Sequence, residues 1–233
     1  MIAAHHSMIG TGKWKNPYIT DGLVAMWDGE WNAGGGIHDP NATTWRDLAG
    51  ILDLTFAKAP VWFGNSLQIT MANTYCAAND TVQTLSDCTI EWCGEIFDYN
   101  LTNRDLFSFD QIAGSGIVSY ANTSNYSENV WWILGSARSD MPIVGFDTAN
   151  PCSSTLTYNG TSFFAYRNSA YMSNYTNPNK GIRGFVSLGA LRKTDNRQIR
   201  SQRVHRFAIY SRALTAEEVA ANSAVDKARF NLP

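Results

Sequence analysis

Between Gly22 and Tyr210 the sequence breaks into short apolar or alternating runs, each closed by glycine, proline, asparagine or serine. Runs of four to eight residues bounded by turn formers specify strands, and their spacing is that of a sandwich rather than of βαβ units. Strands are expected at 22–27, 52–57, 66–70, 88–97, 105–109, 116–120, 130–134, 142–146, 154–158, 162–167, 185–191 and 203–210. Hardly any helical period separates them. The expected fold class is therefore all-β, two stacked antiparallel sheets with one short C-terminal helix.

Composition agrees with that reading. Charged residues make up only 16% of the 233, against about 25% in an average globular chain. The surface must then be wetted by Asn, Ser, Thr and Gly, which suit strands and turns better than helices. Residues 1–20 show no period and contain Gly10, Gly12 and Pro17. They read as an arm, free or laid across a partner, and offer a route to a homo-oligomer. Residues 21–233 read as one domain. Loops are expected at Gly34–Gly36 and at 171–181. Asn159-Gly160 between two strand runs predicts a hairpin with a type I′ turn.

One helix is well specified. Thr215-Ala-Glu-Glu218 is a capping box, in which the Thr side chain and the Glu side chain each accept the other residue's N–H. Leu214 and Val219 are spaced for a hydrophobic staple. The helix is expected to run to about Ala228 and, being weakly amphipathic, to lie on the sandwich edge.

Arg203-Val-His-Arg-Phe-Ala-Ile-Tyr210-Ser-Arg-Ala-Leu214-Thr-Ala-Glu-Glu218 resembles the closing segment of laminin-G-like, concanavalin-type jelly-roll lectin domains. There an "I-Y-x-R-A-L" strand leads into "S/T-x-x-E". Phe185–Ala190 resembles the penultimate strand, and Phe164–Asn168 the "Y-x-N-G" hairpin, with Ser169 at the usual glycine. Gly22–Asp28 and Trp45–Gly50 resemble the opening strand and the "W-x-D-x-x-G" loop. Cys88-Thr-Ile-Glu91-Trp resembles "F-T-I-E-x-W", with the tryptophan one position early. The resemblance spans residues 21–228 and implies the fold. The stretch from Gly36 to Trp45 and the ending from Val225 to Pro233 resemble proteins of bacteriophages and prophages.

Related glycoside hydrolases place their carboxylates along one strand as "E-x-D-x-E". Here Glu91, Cys93 and Glu95 share one face, but the central Asp is missing. Residues four apart on a strand start about 13 Å apart, too far for the ~5 Å of a retaining pair. These side chains read as a half-exposed strand face, and no catalytic residue is assigned. His205 reads as a packed edge residue. No cofactor is required. Calcium enters through the resemblance, with Asp28, Asp39 and Asp47 at the front loops as donors; Asp47 reads equally as a turn cap.

For glycan binding, aromatic faces stack on sugars while amides take hydroxyls. Trp131, Tyr166, Tyr171 and Tyr175, with Asn168 and Asn174, are the candidates. A net charge of −2 argues against nucleic acid, which calls for a basic stripe. Arg192-Lys193 with Arg197, Arg200 and Arg203 reads as a solvated loop. No apolar run reaches the ~18 residues of a membrane span. The start lacks the features of a secretory signal, so the chain is expected to be made in the cytoplasm and to act in a virion or outside the cell after release. Cys88 and Cys93 fall on opposite faces of one strand and do not bridge; all four cysteines read as small buried hydrophobes. The function expected is a non-catalytic recognition module, tail- or virion-associated, binding cell-surface glycan or another virion protein. The alternatives are a purely structural virion protein and a glycoside hydrolase.

Overall fold

The structure is a computed structural model. It describes residues 15–50, 52–70, 76–78, 82–97, 104–109, 116–121, 130–134, 143–144, 147, 150–176, 182–184, 186–189 and 201–233. The first strands in chain order are β1 (Leu23–Asp28), β2 (Thr44–Trp45), β3 (Leu54–Phe56), β4 (Val61–Phe63), β5 (Ser66–Ile69) and β6 (Cys76–Ala78). Then come β7 (Val82–Leu85), β8 (Cys88–Ile96), β9 (Arg104–Phe109), β10 (Gly116–Ala121), β11 (Val130–Leu134) and β12 (Ile143–Val144). The last are β13 (Cys152–Tyr158), β14 (Ser162–Arg167), β15 (Ala170–Thr176), β16 (Ile182–Gly184), β17 (Val186–Leu188) and β18 (Gln202–Tyr210), followed by helix α1 (Ala216–Phe230).

One sheet runs β15-β14-β13-β8-β18-β5-β4, with β1 pairing the second half of β18. The other runs β12-β11-β10-β9-β17-β6-β3-β2, and β16 and β7 form a separate ribbon. The all-β sandwich with one short helix is what the strand spacing predicts.

The core lies between the two large sheets. Phe207 of β18 joins them, its ring 5.8 Å from Trp27 of β1 and 4.8 Å from Phe107 of β9. Buried indoles need a partner for their N–H, and each has one. Trp27 donates to the Leu52 carbonyl, Trp45 to that of Asp28, and Trp92 to the Gln202 side chain. All four cysteines are buried and free; Cys88 packs between the sheets, Cys93 outside them against Phe230 and Leu232.

Several local expectations change. Residues 171–176, expected as loop, lie in β15, where Met172 and Tyr175 pack against the core. At Asn159-Gly160 only Gly160 has positive φ, 82°. The loop spans three residues and is closed by the Asn159 side chain, which accepts the N–H groups of Thr161 and Ser162. The two-residue turn with both φ positive is instead Asn168-Ser169, at 49° and 67°. A Cβ in that region costs about 1 kcal/mol, so Ser169→Gly should raise stability by about that amount in urea unfolding.

The capping box forms: Glu218 N donates to Thr215 Oγ1 and Thr215 N to Glu218 Oε2. Arg212 adds a bidentate ion pair to Glu218 at 2.7 and 2.6 Å. Those donors favour the carboxylate and hold the Glu218 acid down from 4.5 to about 2. A folded value below the unfolded one stabilises above the unfolded value and fades as pH falls through the folded one. The stability gap between the wild type and Glu218→Gln should therefore close between pH 4.5 and about 2. Solvent reaches the pair, so that gap should be only about 0.5 kcal/mol.

α1 does not lie on the sandwich edge. It crosses the outer face of the first sheet, over its central strands β8 and β18, because its Asn222 and Asp226 bond to Glu91 and Arg206 there. β18 is therefore a central strand too. His205, read as an edge residue, sits at a bulge of β18 and stacks on Phe230 at 4.8 Å. The bulge brings the Arg203 carbonyl onto Gly94, where a Cβ would stand 2.2 Å from that oxygen.

Candidate functional site: a groove between hairpin and helix

The β14–β15 hairpin is the free edge of the first sheet, and its outer face looks toward α1. Tyr166 and Tyr171 are paired across it, ring centroids 6.0 Å apart and inclined 70°. Tyr166 is half-buried against the cluster beneath the helix, whereas Tyr171 is 56% exposed. Burial, Tyr171 and the charge of Glu217 push the Tyr166 phenol up from its ordinary value.

Below this pair a shallow groove runs between the turn and the helix. Asn168, Ser169, Ala220, Ser223, Lys227 and Leu232 line it. Small residues on that flank of α1 leave the space open. Asn168 is fixed by two bonds to the backbone of Ser153, N–H to carbonyl at 2.8 Å and side-chain oxygen to N–H at 2.9 Å. The groove itself offers an amide, hydroxyls and the Lys227 charge; the exposed Tyr171 ring stands on the same hairpin, and Glu217 acts on Tyr166 beside it.

The structure brings together three of the residues expected from sequence, Tyr166, Asn168 and Tyr171. Asn174 is exposed on the same outer face, farther along β15, opposite Phe164. Tyr175 departs from the group, because the bulge in the β14–β15 pairing shifts the alternation after Tyr171 and turns Tyr175 inward with Phe163. Trp131 lies on β11 in the other sheet, and its side chain is outside the described residues. Ala220, Ser223 and Lys227 have no signal as a site; in sequence they are an ordinary helix surface, and only the docking of α1 on the sheet makes them a wall.

The carboxylate strand is not a half-exposed face. Glu91 is 1% exposed beneath α1 and accepts from Arg206 at 2.8 Å and from Asn222 at 3.0 and 3.1 Å. Burial pushes its acid upward against the pull of Arg206. Glu95 lies apart from it, in an ion pair with Arg203 at 3.0 Å. The Arg203 guanidinium also stacks over Phe63 and Phe97, so it belongs to the sheet rather than to a loop; Arg192–Arg200 lie outside the described residues. Glu91 is held beneath the helix and Glu95 on the surface, so the two form no catalytic dyad.

No family model matches the sequence, and no curated protein matches it. Solved structures do. Domain 4 of a GH43 extracellular arabinanase from Geobacillus stearothermophilus, in complex with arabinotriose, aligns at TM-score 0.65 and 13% identity, over 85% of this chain and 96% of that one. A Trypanosoma rangeli sialidase in complex with 2,3-difluorosialic acid aligns at 0.63 and 12%, over 87% of this chain but only 32% of the enzyme. The binding domain of botulinum neurotoxin DC aligns at 0.61 and 12%, over 89% and 52%. This chain has their fold. It spans about a third of the sialidase and nearly all of the arabinanase domain.

The three aspartates proposed for calcium are not gathered in one place. Asp28 is buried in an ion pair with Arg229 at 2.6 Å. Asp47 accepts the N–H groups of Met26, Ala49 and Leu52, the turn-capping role. Asp39 caps Asn41 and exchanges backbone bonds with the Asn32 side chain. Among the described residues no three His, Cys, Asp or Glu side chains are arranged to hold a metal, and no helix is long and apolar enough to cross a membrane.

Proposed function

We propose that this chain is a non-catalytic recognition module that binds an oligosaccharide in the groove between the β14–β15 hairpin and α1. The observation that carries this reading is Tyr171, a large ring held open to solvent at a rigid turn and braced by Tyr166. A sugar ring stacks on such a face, while Asn168, Ser223, Glu217 and Lys227 supply the polar partners that fix its hydroxyls. Support comes from neighbours of the same fold whose structures hold arabinotriose or a sialylated ligand. Binding draws no ligand atom from Asp28, Asp39 or Asp47 and is independent of calcium. The sequence resemblance to phage and prophage proteins supports display on a virion or tail, with cell-surface glycan as the partner.

A glycan array probed with the whole protein, with and without a chelator, tests this. Signal on a defined set of glycans is expected under both conditions, and Tyr171→Ala should weaken it about tenfold, as loss of a stacked aromatic anchor does. An array without signal would point to the structural virion protein. Glycosidases stand among the neighbours, so turnover of sialosides and arabinan is the second measurement. None is expected, and turnover abolished by Glu95→Gln would replace this reading with a hydrolase.

A further inference from the structure

We infer that the loop joining β13 to β14 is a site of spontaneous self-modification, at which Asn159 cyclises onto Gly160 and opens to aspartate and isoaspartate. Asn-Gly occurs once in the sequence. Asn159 is exposed, and no side chain on Gly160 hinders approach to the amide nitrogen that follows.

Two further features favour the chemistry. The Asn159 side-chain oxygen accepts the N–H groups of Thr161 at 3.1 Å and Ser162 at 2.9 Å. The same pair stabilises the oxyanion that forms when the side-chain carbonyl is attacked. Asp87, exposed just before β8, lies beside the nucleophile's residue: a Cβ on Gly160 would stand 3.0 Å from its Oδ1. Standing beside Gly160, that carboxylate serves as the proton acceptor of the proposed reaction. The Gly160 carbonyl is itself held by the Tyr158 hydroxyl at 2.7 Å.

In the reaction the Gly160 nitrogen loses its proton to Asp87 and bonds to Asn159 Cγ. The Cγ–Nδ2 bond then breaks, and Nδ2 departs as ammonia with that proton. Water opens the five-membered imide at either carbonyl. One opening leaves aspartate; the other leaves isoaspartate and lengthens the loop backbone by one carbon. Both place a second carboxylate beside Asp87. The loop lies at the opposite end of β14 from the Asn168-Ser169 turn, so the groove is untouched.

The test is incubation of the full chain at neutral pH, followed by peptide mass mapping with isoaspartate detection. Asn65, Asn168 and Asn222, each followed by serine, serve as internal references. Conversion at Asn159 should outrun all three, and Asp87→Asn should slow it about tenfold, the low end of a general-base contribution. Retention of the Asn159 amide, conversion no faster than at the references, or an unchanged rate in Asp87→Asn would each overturn the inference.

Discussion

Arg206→Met is expected to lower the free energy of unfolding by about 3–5 kcal/mol, a large part of the whole for a single domain. Arg206 is fully buried between the sheet and α1. Its guanidinium forks onto Asp226, Nε to Oδ1 at 2.8 Å and the NH2 nitrogen to Oδ2 at 2.7 Å, and its remaining terminal nitrogen reaches Glu91 at 2.8 Å. Desolvating three ions is costly, and mutual attraction with full hydrogen bonding offsets it. Methionine fills the space but leaves two carboxylates in a dry interior with their cation gone. The penalty is then that of uncompensated charge rather than of a lost contact. Urea unfolding of Arg206→Met should show it. The double variant Arg206→Met/Asp226→Leu should recover part of the loss, since it removes one stranded charge. A single variant costing under about 1 kcal/mol would mean that the cluster contributes little to the fold.

The legible part of this molecule is its periodic part. Alternation in 206–210 places Phe207 and Ile209 toward the core without reference to any other segment, whereas Val204 joins them only through the bulge at His205; the capping box is complete within four residues. The charge cluster is different. Glu91, Arg206 and Asp226 are separated by more than a hundred residues at the extremes, and each reads locally as an ordinary strand or helix-surface charge. Only the docking of α1 over β8 and β18 makes them one unit. The same docking creates the groove, so Tyr166 and Tyr171 were legible as loop-side aromatics while the helix wall opposite them was not. Tyr175 has a different cause: even alternation along β15 groups it with Tyr171, and only the bulge near Met172, which has no periodic signal, turns it inward. The aspartates have separate partners: Asp47 satisfies three N–H groups that the turn would otherwise leave without partners, and Asp28 pairs with Arg229.

The arm is the other place where sequence and structure part, and it carries the second large expectation. Residues 15–20 lack a period and read as part of an arm, yet Tyr18 is buried. Its hydroxyl donates to Asp226 at 2.9 Å and accepts from Arg229 at 2.8 Å, and its ring lies 4.2 Å beneath the Arg206 guanidinium. Ile19 is held by both its backbone groups, N–H to the Asn222 side chain at 2.9 Å and carbonyl to the Tyr210 hydroxyl at 3.2 Å. These six residues therefore lock α1 to the sheet. Tyr18→Ala removes a buried ring together with a bridging hydroxyl, and should cost about 3–5 kcal/mol, the range for large aromatics cut to alanine. Tyr18→Phe keeps the ring and leaves Asp226 one donor short, so about 1–3 kcal/mol is expected. A chain beginning at Asp21 should lose as much as Tyr18→Ala or more, whereas one beginning at Lys15 keeps every contact named here. Thermal unfolding of the four proteins separates the cases. If the Asp21 start melts with the full chain, the other contacts of α1, those of Asn222, Asp226 and Arg229 with the sheet, hold it without this segment, and the segment is the arm its sequence suggests.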